Sequence, residues 1–307
     1  MKIERVIIIR DKTRLEQLVD RFNSVAQAKF YLESNNQSFS LIEEEHLTFN
    51  NSLKTIQEGI SKYYRFKVIF REFVSTYIFS DFDLIVVIGQ DGLVANTAKY
   101  VSNHPIVAIN PDEKSYDGIL LPFAPKEIED VVKKVAKDSF TVKRITLAEA
   151  VFDDGQRLLA FNDFFIGAAT HVSAKYEIRI GEKMEDQSSS GILVSTGAGF
   201  TGWMSSVFNM ARNISVSQGI VQCINPHLRM ESEKLLFVVR EPFQSKTTQT
   251  NIGFGEITKN NSLRIVSKMV TNGVVFSDGM ESDFVSFNTG ANVTIGVADE
   301  KAFLVVG

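Results

Sequence analysis

The hydrophobic positions of the first half of the chain alternate between two periods. Val6-Ile7-Ile8-Ile9 is a short β-branched run of the kind buried in a parallel sheet. After it, Leu15, Leu18, Val19, Phe22 and Val25 recur at spacings of three and four, which places them on one face of a helix. Residues 66–70, 84–88 and 106–109 read as further strands. The spacing predicts a last helix over 125–137, with Pro125 at its first position, Glu127, Glu129 and Asp130 near its positive end, and Lys133, Lys134 and Lys137 near its negative end. Ile128, Val131, Val132 and Val135 form its apolar stripe. Strand and helix taking turns predict a doubly wound, Rossmann-like α/β domain over residues 1–140.

From residue 141 the pattern changes. Short β-rich runs at 157–168, 173–180, 191–196, 234–240, 262–268, 273–277 and 293–297 are separated by Gly, Asn, Asp and Ser. A helical period survives only after Gly202, in Trp203, Met204, Val207, Phe208, Met210 and Ala211. A mainly β domain is expected over 141–307, with residues 302–306 able to return to the first domain as a strand.

Composition narrows the function. Lys and Arg number 33 against 37 Asp and Glu, so 33 − 37 gives a net charge of −4 over 307 residues. That near balance argues against a broad cationic surface, and so against nucleic acid or an anionic membrane as partner. It leaves room for a local phosphate pocket. A hydrophobic share of 44% and a charged share of 23% are those of a globular protein, and 24 Phe against 7 Tyr and 1 Trp supply mostly core filler. Cys223 stands alone, which excludes an intrachain disulfide and suits a reducing compartment. With only His227 nearby as a base, it reads as a small buried hydrophobe rather than a catalytic thiol. The N-terminal apolar tetrad is too short for a signal segment and no apolar run reaches about 20 residues. A cytoplasmic location is expected.

Three segments could carry chemistry. In the first, the strand at 84–88 runs into Gly89-Gln90-Asp91-Gly92 and then into a helical period. Open α/β sheets bind ligands at the carboxyl ends of strands, where a helix N-terminus offers N–H groups to phosphate. An acid there could hold a cation or take a proton from an attacking hydroxyl, or simply cap the helix. No Gly-Lys-Ser/Thr follows, so this is not a Walker loop. In the second, Asn162-Asp163 interrupts an apolar strand and reads either as ribose or base recognition or as a turn or bulge. The third, Ser195-Thr196-Gly197-Ala198-Gly199-Phe200-Thr201-Gly202-Trp203, reads as a clamp around a flat or phosphorylated ligand or as a surface loop.

In order and spacing these segments resemble the NAD kinase family. Gly89-Gln90-Asp91-Gly92 is similar to the family's Gly-Gly-Asp-Gly, Asn162-Asp163 to its Asn-Glu, and the Ser195-to-Trp203 segment to its Ser-Thr-Pro-Thr-Gly-Ser-Thr-Ala-Tyr. Lys12-Thr13-Arg14, Asn110-x-Asp112-x-x-Ser115, Ser189-Ser190-Gly191 and Arg240-Glu241-Pro242-Phe243 resemble the divergent mitochondrial type and its bacterial relatives. The resemblance implies phosphorylation of the adenosine 2′-hydroxyl of NAD by ATP with a divalent metal such as magnesium, in a homodimer or homotetramer. Asp91 then resembles the general base or hydroxyl orienter, and Gly89, Gln90 and Gly92 the phosphate turn. Lys12, Arg14 and Lys114 are candidate phosphate cations and Asn110 a further nucleotide contact. Asn162, Asp163, Ser195, Thr196, Gly197, Ala198, Thr201 and Trp203 resemble the nucleotide contacts. No metal ligand is assigned.

Three departures bear on this. Gln90 places a side chain where the family has glycine, Leu93 stands for a threonine, and Asp163 is one methylene shorter than glutamate. They keep open a catalytically weak or inactive nucleotide-binding relative, or a sugar or lipid kinase of the same superfamily.

Overall fold

The computed structural model describes residues 2–101, 103–219 and 226–307, so Cys223 lies outside the described residues. The chain divides into two compact units, Met1–Lys143 with Phe303–Gly307, and Arg144–Ala302.

The first unit is α/β. It contains β1 (Arg5–Arg10), α1 (Arg14–Phe22), α2 (Val25–Ser34), α3 (Phe39–Ser61), β2 (Arg65–Phe70), β3 (Asp83–Ile88), α4 (Asp91–Ala98), β4 (Pro105–Ile109) and α5 (Ile128–Ala136). The strands pair in parallel in the order β2-β1-β3-β4, and Phe303 and Leu304 pair beside Pro105 and Ile106. Alternate strand residues Val6, Ile8, Leu84, Val86, Ile88, Val107 and Ile109 pack with Leu53, Ile56 and Ile60 of α3 and with the whole predicted stripe of α5. A parallel strand between helices is buried on both faces, which is why these runs are continuously apolar rather than alternating.

Two helices differ from expectation. The period that runs through Val25 is broken after Phe22, where Asn23 takes a left-handed φ of 63° and donates to the Val19 carbonyl. Ser24 then caps a new helix through the Gln27 N–H, and Val25 is exposed. The 23-residue α3 has no counterpart in the sequence reading.

The second unit is mainly β. It contains most of β5 (Val142–Phe152), β6 (Arg157–Ala160), β7 (Asp163–Ala168), β8 (Ala174–Ile180), β9 (Lys183–Ser189), β10 (Ile192–Ser195), α6 (Trp203–Ser217), β11 (Lys234–Val239), β12 (Phe254–Thr258), β13 (Leu263–Ser267), β14 (Gly273–Ser277), β15 (Val285–Ser286) and most of β16 (Asn292–Val305), whose last residues belong to the first unit. One sheet runs β12-β11-β10-β7-β14-β15, and β16, β13, β8 and β9 pair in series in the other. Phe164, Ile166, Val194, Phe237 and Val275 meet Tyr176, Ile178, Ile265, Val293 and Ile295 in one core, so the two sheets form a sandwich. On the outer face of the first, α6 packs through Met204 on Leu193 and Leu236. No helix among the described residues is long and apolar enough to cross a membrane.

Candidate functional site

In the first unit, two helix N-termini open onto one cavity of about 230 Å³. Its walls include Asp11, Lys12, Thr13 and Arg14 at the start of α1 and Gly89, Gln90, Gly92 and Leu93 at the start of α4. Thr13 caps α1 in a reciprocal capping box with Glu16. The N-cap of α4 is Gln90, which makes no side-chain cap; the Leu93 N–H donates to the Gln90 carbonyl, which leaves the Asp91 and Gly92 N–H groups to offer to an anion. Gly92 stands in that turn with nothing within 4 Å of where a Cβ would lie. No contact inside the protein requires a glycine there.

Asp91 does not cap its own helix. Its two carboxylate oxygens accept the N–H groups of Ile119 (3.2 Å) and Leu120 (2.9 Å). Each oxygen keeps a lone pair, so the carboxylate can still orient a hydroxyl. Asn110 acts on the same loop from below. It is buried, its Nδ2 donates to the Tyr116 carbonyl, and its Oδ1 accepts from the Asp112 N–H. Asp112 in turn accepts from the Lys114 N–H and the Ser115 hydroxyl. Asn110 thus shapes the 110–118 loop that leads into the amides holding Asp91, and it does not line the cavity.

The cavity's charges are balanced. Lys12, Arg14 and Arg71 are matched by Asp11, Glu45 and Asp112. Lys12 pairs with Asp20 at 2.9 Å and Glu72 at 3.5 Å, Arg71 with Asp11 at 3.3 Å, and Arg14 only distantly with Glu45 at 3.8 Å. Hydrogen bonding to Asp20 raises the Lys12 ammonium above its ordinary range. Pairs half open to solvent are screened and contribute little to stability, so phosphates can compete for these cations at small cost.

In the second unit, Asn162-Asp163 and the Ser195–Ala198 segment are laced together through backbone. Ser195 pairs with Asp163 in the ladder. The Thr196 N–H donates to the Asn162 carbonyl (2.9 Å) and its hydroxyl to the Phe161 carbonyl (2.5 Å), while the same oxygen accepts from the Ala198 and Gly199 N–H groups. The Ser195 hydroxyl donates to the Thr196 carbonyl at 3.0 Å. Both hydroxyls therefore hold the loop's shape and are fully buried. Gly197 and Gly199 are packing requirements, since a Cβ would lie 1.8 Å from the Arg229 carbonyl oxygen and 2.1 Å from that of Asn162. Thr201 is exposed. Trp203 stacks on Phe165 with ring centroids 5.7 Å apart, carries the Arg240 guanidinium over its face at 5.2 Å, and lines a second cavity with them.

The half-buried Asp163 carboxyl is pushed up to about 7 by desolvation, with the nearby Asp278 charge adding to it. Asp278 was missed in sequence. The signal present was an Asp-Gly pair just after a β run, which reads as turn chemistry and says nothing of its distant partners.

No family model matches the chain. Curated relatives do. An NAD kinase of Chlorobium luteolum is 30% identical over 151 residues, covering 48% of this chain and 52% of that protein. One of Saccharolobus islandicus is 25% identical over 146 residues, covering 48% and 56%. Among solved structures, an NAD kinase from Archaeoglobus fulgidus in complex with ATP aligns with a TM-score of 0.60 at 15% identity, over 98% of this chain and 92% of its own. Yeast NADH kinase complexed with NADH gives 0.60 at 14%, over 100% and 84%. The chain thus resembles NAD kinases over about half of its sequence and shares their fold. In sequence it spans about half the length of the curated NAD kinases it matches, whereas the NAD kinase fold is shared over nearly all of it.

Proposed function

We propose that the chain is an ATP-dependent NAD kinase that phosphorylates the adenosine 2′-hydroxyl of NAD to give NADP. The observation that carries this is the cavity where the N-termini of α1 and α4 meet, with Lys12, Arg14 and Arg71 around it and open space at Gly92. Phosphoryl transfer needs positioning and charge neutralisation more than covalent chemistry, and N–H groups with movable cations supply both. Asp91, steadied by Ile119 and Leu120, takes the role of hydroxyl orienter. Asn162 and Asp163, on a backbone locked by Thr196, take ribose and amide recognition.

Among the described residues no group of three or more His, Cys, Asp or Glu could hold a metal ion. The divalent cation of this proposal is one carried on the triphosphate, since magnesium bound to nucleotides takes most of its ligands from phosphate and water. When bound, it neutralises charge on the transferring phosphoryl group. A homodimer or homotetramer and a cytoplasmic location belong to the same proposal.

Purified chain incubated with ATP, magnesium and NAD is expected to form NADP, read by a coupled dehydrogenase; no product overturns the reading. Gly92→Ala separates ligand space from packing. It should leave the melting temperature unchanged or raise it, because alanine in a helix is favoured over glycine by about 1 kcal/mol. It should also lower kcat/KM for ATP about tenfold or more, if the displaced volume costs the ~1.4 kcal/mol that tenfold represents. Equal activity in Gly92→Ala and wild type would mean that the cavity holds no phosphate there.

A further inference from the structure

The turn between β6 and β7 is held by a carboxylate from elsewhere in the sandwich. Phe161, Asn162 and Asp163 present three successive N–H groups at a point where the strands are changing and the ladder does not take them all. Asp278, just beyond β14, takes all three: Oδ2 accepts from Phe161 (3.1 Å), and Oδ1 from Asn162 (2.6 Å) and Asp163 (3.2 Å). Its own N–H donates to the Asp163 carbonyl at 2.9 Å. Reaching them requires a left-handed backbone, with φ of 54° at Asp278 and 69° at Gly279. Successive N–H groups curled around one anion form a nest, here filled by the protein's own charge.

We propose that Asp278 is a positioning residue of the nucleotide site, its carboxylate fixing the backbone from which Asn162 and Asp163 are offered to the ribose and amide groups of NAD. This rests on the NAD kinase reading. Thr196 holds two of these residues, through the carbonyls of Phe161 and Asn162, so Asp278 and Thr196 grip the donor and acceptor sides of one turn. The arrangement also has an electrostatic consequence. Among the described residues the charged group acting on the Asp163 carboxyl is Asp278, and Ser195, its ladder partner on β10, is neutral. Removing the Asp278 charge therefore eases ionisation of Asp163.

Asp278→Asn tests this with little backbone strain, because asparagine tolerates the left-handed region. It keeps one acceptor oxygen and loses the charge. The KM for NAD should rise about tenfold with kcat within about threefold of wild type, the pattern of lost binding rather than lost chemistry. Asp278→Ala, with no acceptor, should raise KM further. The Asp163 carboxyl, followed by ¹³C resonance and identified with Asp163→Asn, should titrate near 7 in wild type and lower in Asp278→Asn. An unchanged KM in Asp278→Asn overturns the proposal. So does unchanged hydrogen-exchange protection of the Phe161, Asn162 and Asp163 amides in Asp278→Ala, since these are the groups its carboxylate is proposed to hold. If wild type forms no NADP, the kinase reading fails; NAD affinity by calorimetry then replaces KM, and equal affinity in wild type and Asp278→Asn rejects the positioning role separately.

Discussion

Replacing Asp91 with asparagine is expected to lower kcat for NAD phosphorylation by about 10²- to 10⁴-fold, the usual contribution of a positioned acid or base. NAD affinity and the melting temperature should change little. The carboxylate has both oxygens engaged by backbone N–H groups of Ile119 and Leu120, so its direction is set before any ligand arrives. An asparagine keeps one acceptor and turns an NH₂ group toward the other N–H, so it loses both the charge and the orientation. Ile119 is largely exposed, and water can satisfy the N–H released there. The stability cost is therefore small while the chemical cost is large. Steady-state kinetics by the coupled assay, with a thermal melt of the same sample, check both halves. A variant with wild-type kcat would remove Asp91 from the chemistry.

Gly199→Ala should do the opposite and damage the fold first. Its Cβ would sit 2.1 Å from the Asn162 carbonyl oxygen, and backbone cannot move aside as a flexible side chain can. Overpacking of this kind costs about 1–3 kcal/mol or more. Here the displaced atom also accepts from Thr196, so the clash breaks the bonds that lock the Asn162 turn. Gly197→Ala, at 1.8 Å from the Arg229 carbonyl oxygen, should behave alike. Both should lower the melting temperature clearly, whereas Gly92→Ala should not. A Gly199→Ala protein with wild-type melting behaviour would show that the loop has room it lacks in this structure.

The contrast among these three glycines marks how far sequence reading reached. All three stood in segments singled out as glycine-rich and nucleotide-contacting, and local sequence could not separate them. Gly92 faces open space, while Gly197 and Gly199 face backbone distant in the chain. Asp91 shows the same limit: as a helix-start acid it read equally as a cap, and its bonds to the Ile119 and Leu120 amides were not legible locally. Helix α3 was missed although Phe39, Ile42, Leu53, Ile56 and Ile60 keep a helical period, because the acidic run 43–45 interrupts their stripe. Strand β9 was missed for a different reason. Its Glu185, Gln187, Ser188 and Ser189 are polar yet buried, with Gln187 and Glu185 bonded to Ile252 and Asn251 and Ser189 to Tyr176. Polar residues can line a core only when partners from other strands satisfy them, and those partners are invisible locally.

By itself the sequence determined the α/β character of the first part, its strands and the buried stripe of α5, the β character of the remainder, and the family resemblance. Each follows from hydrophobic periods and motifs that act over a few residues. Only the tertiary structure decided which hydroxyls are spent on holding a loop, that Lys12 and Gly92 share one cavity, and that Asp278 anchors the Asn162 turn. Those depend on close approaches between residues far apart in the chain, which hydrogen-bond geometry and excluded volume settle only once the strands are paired.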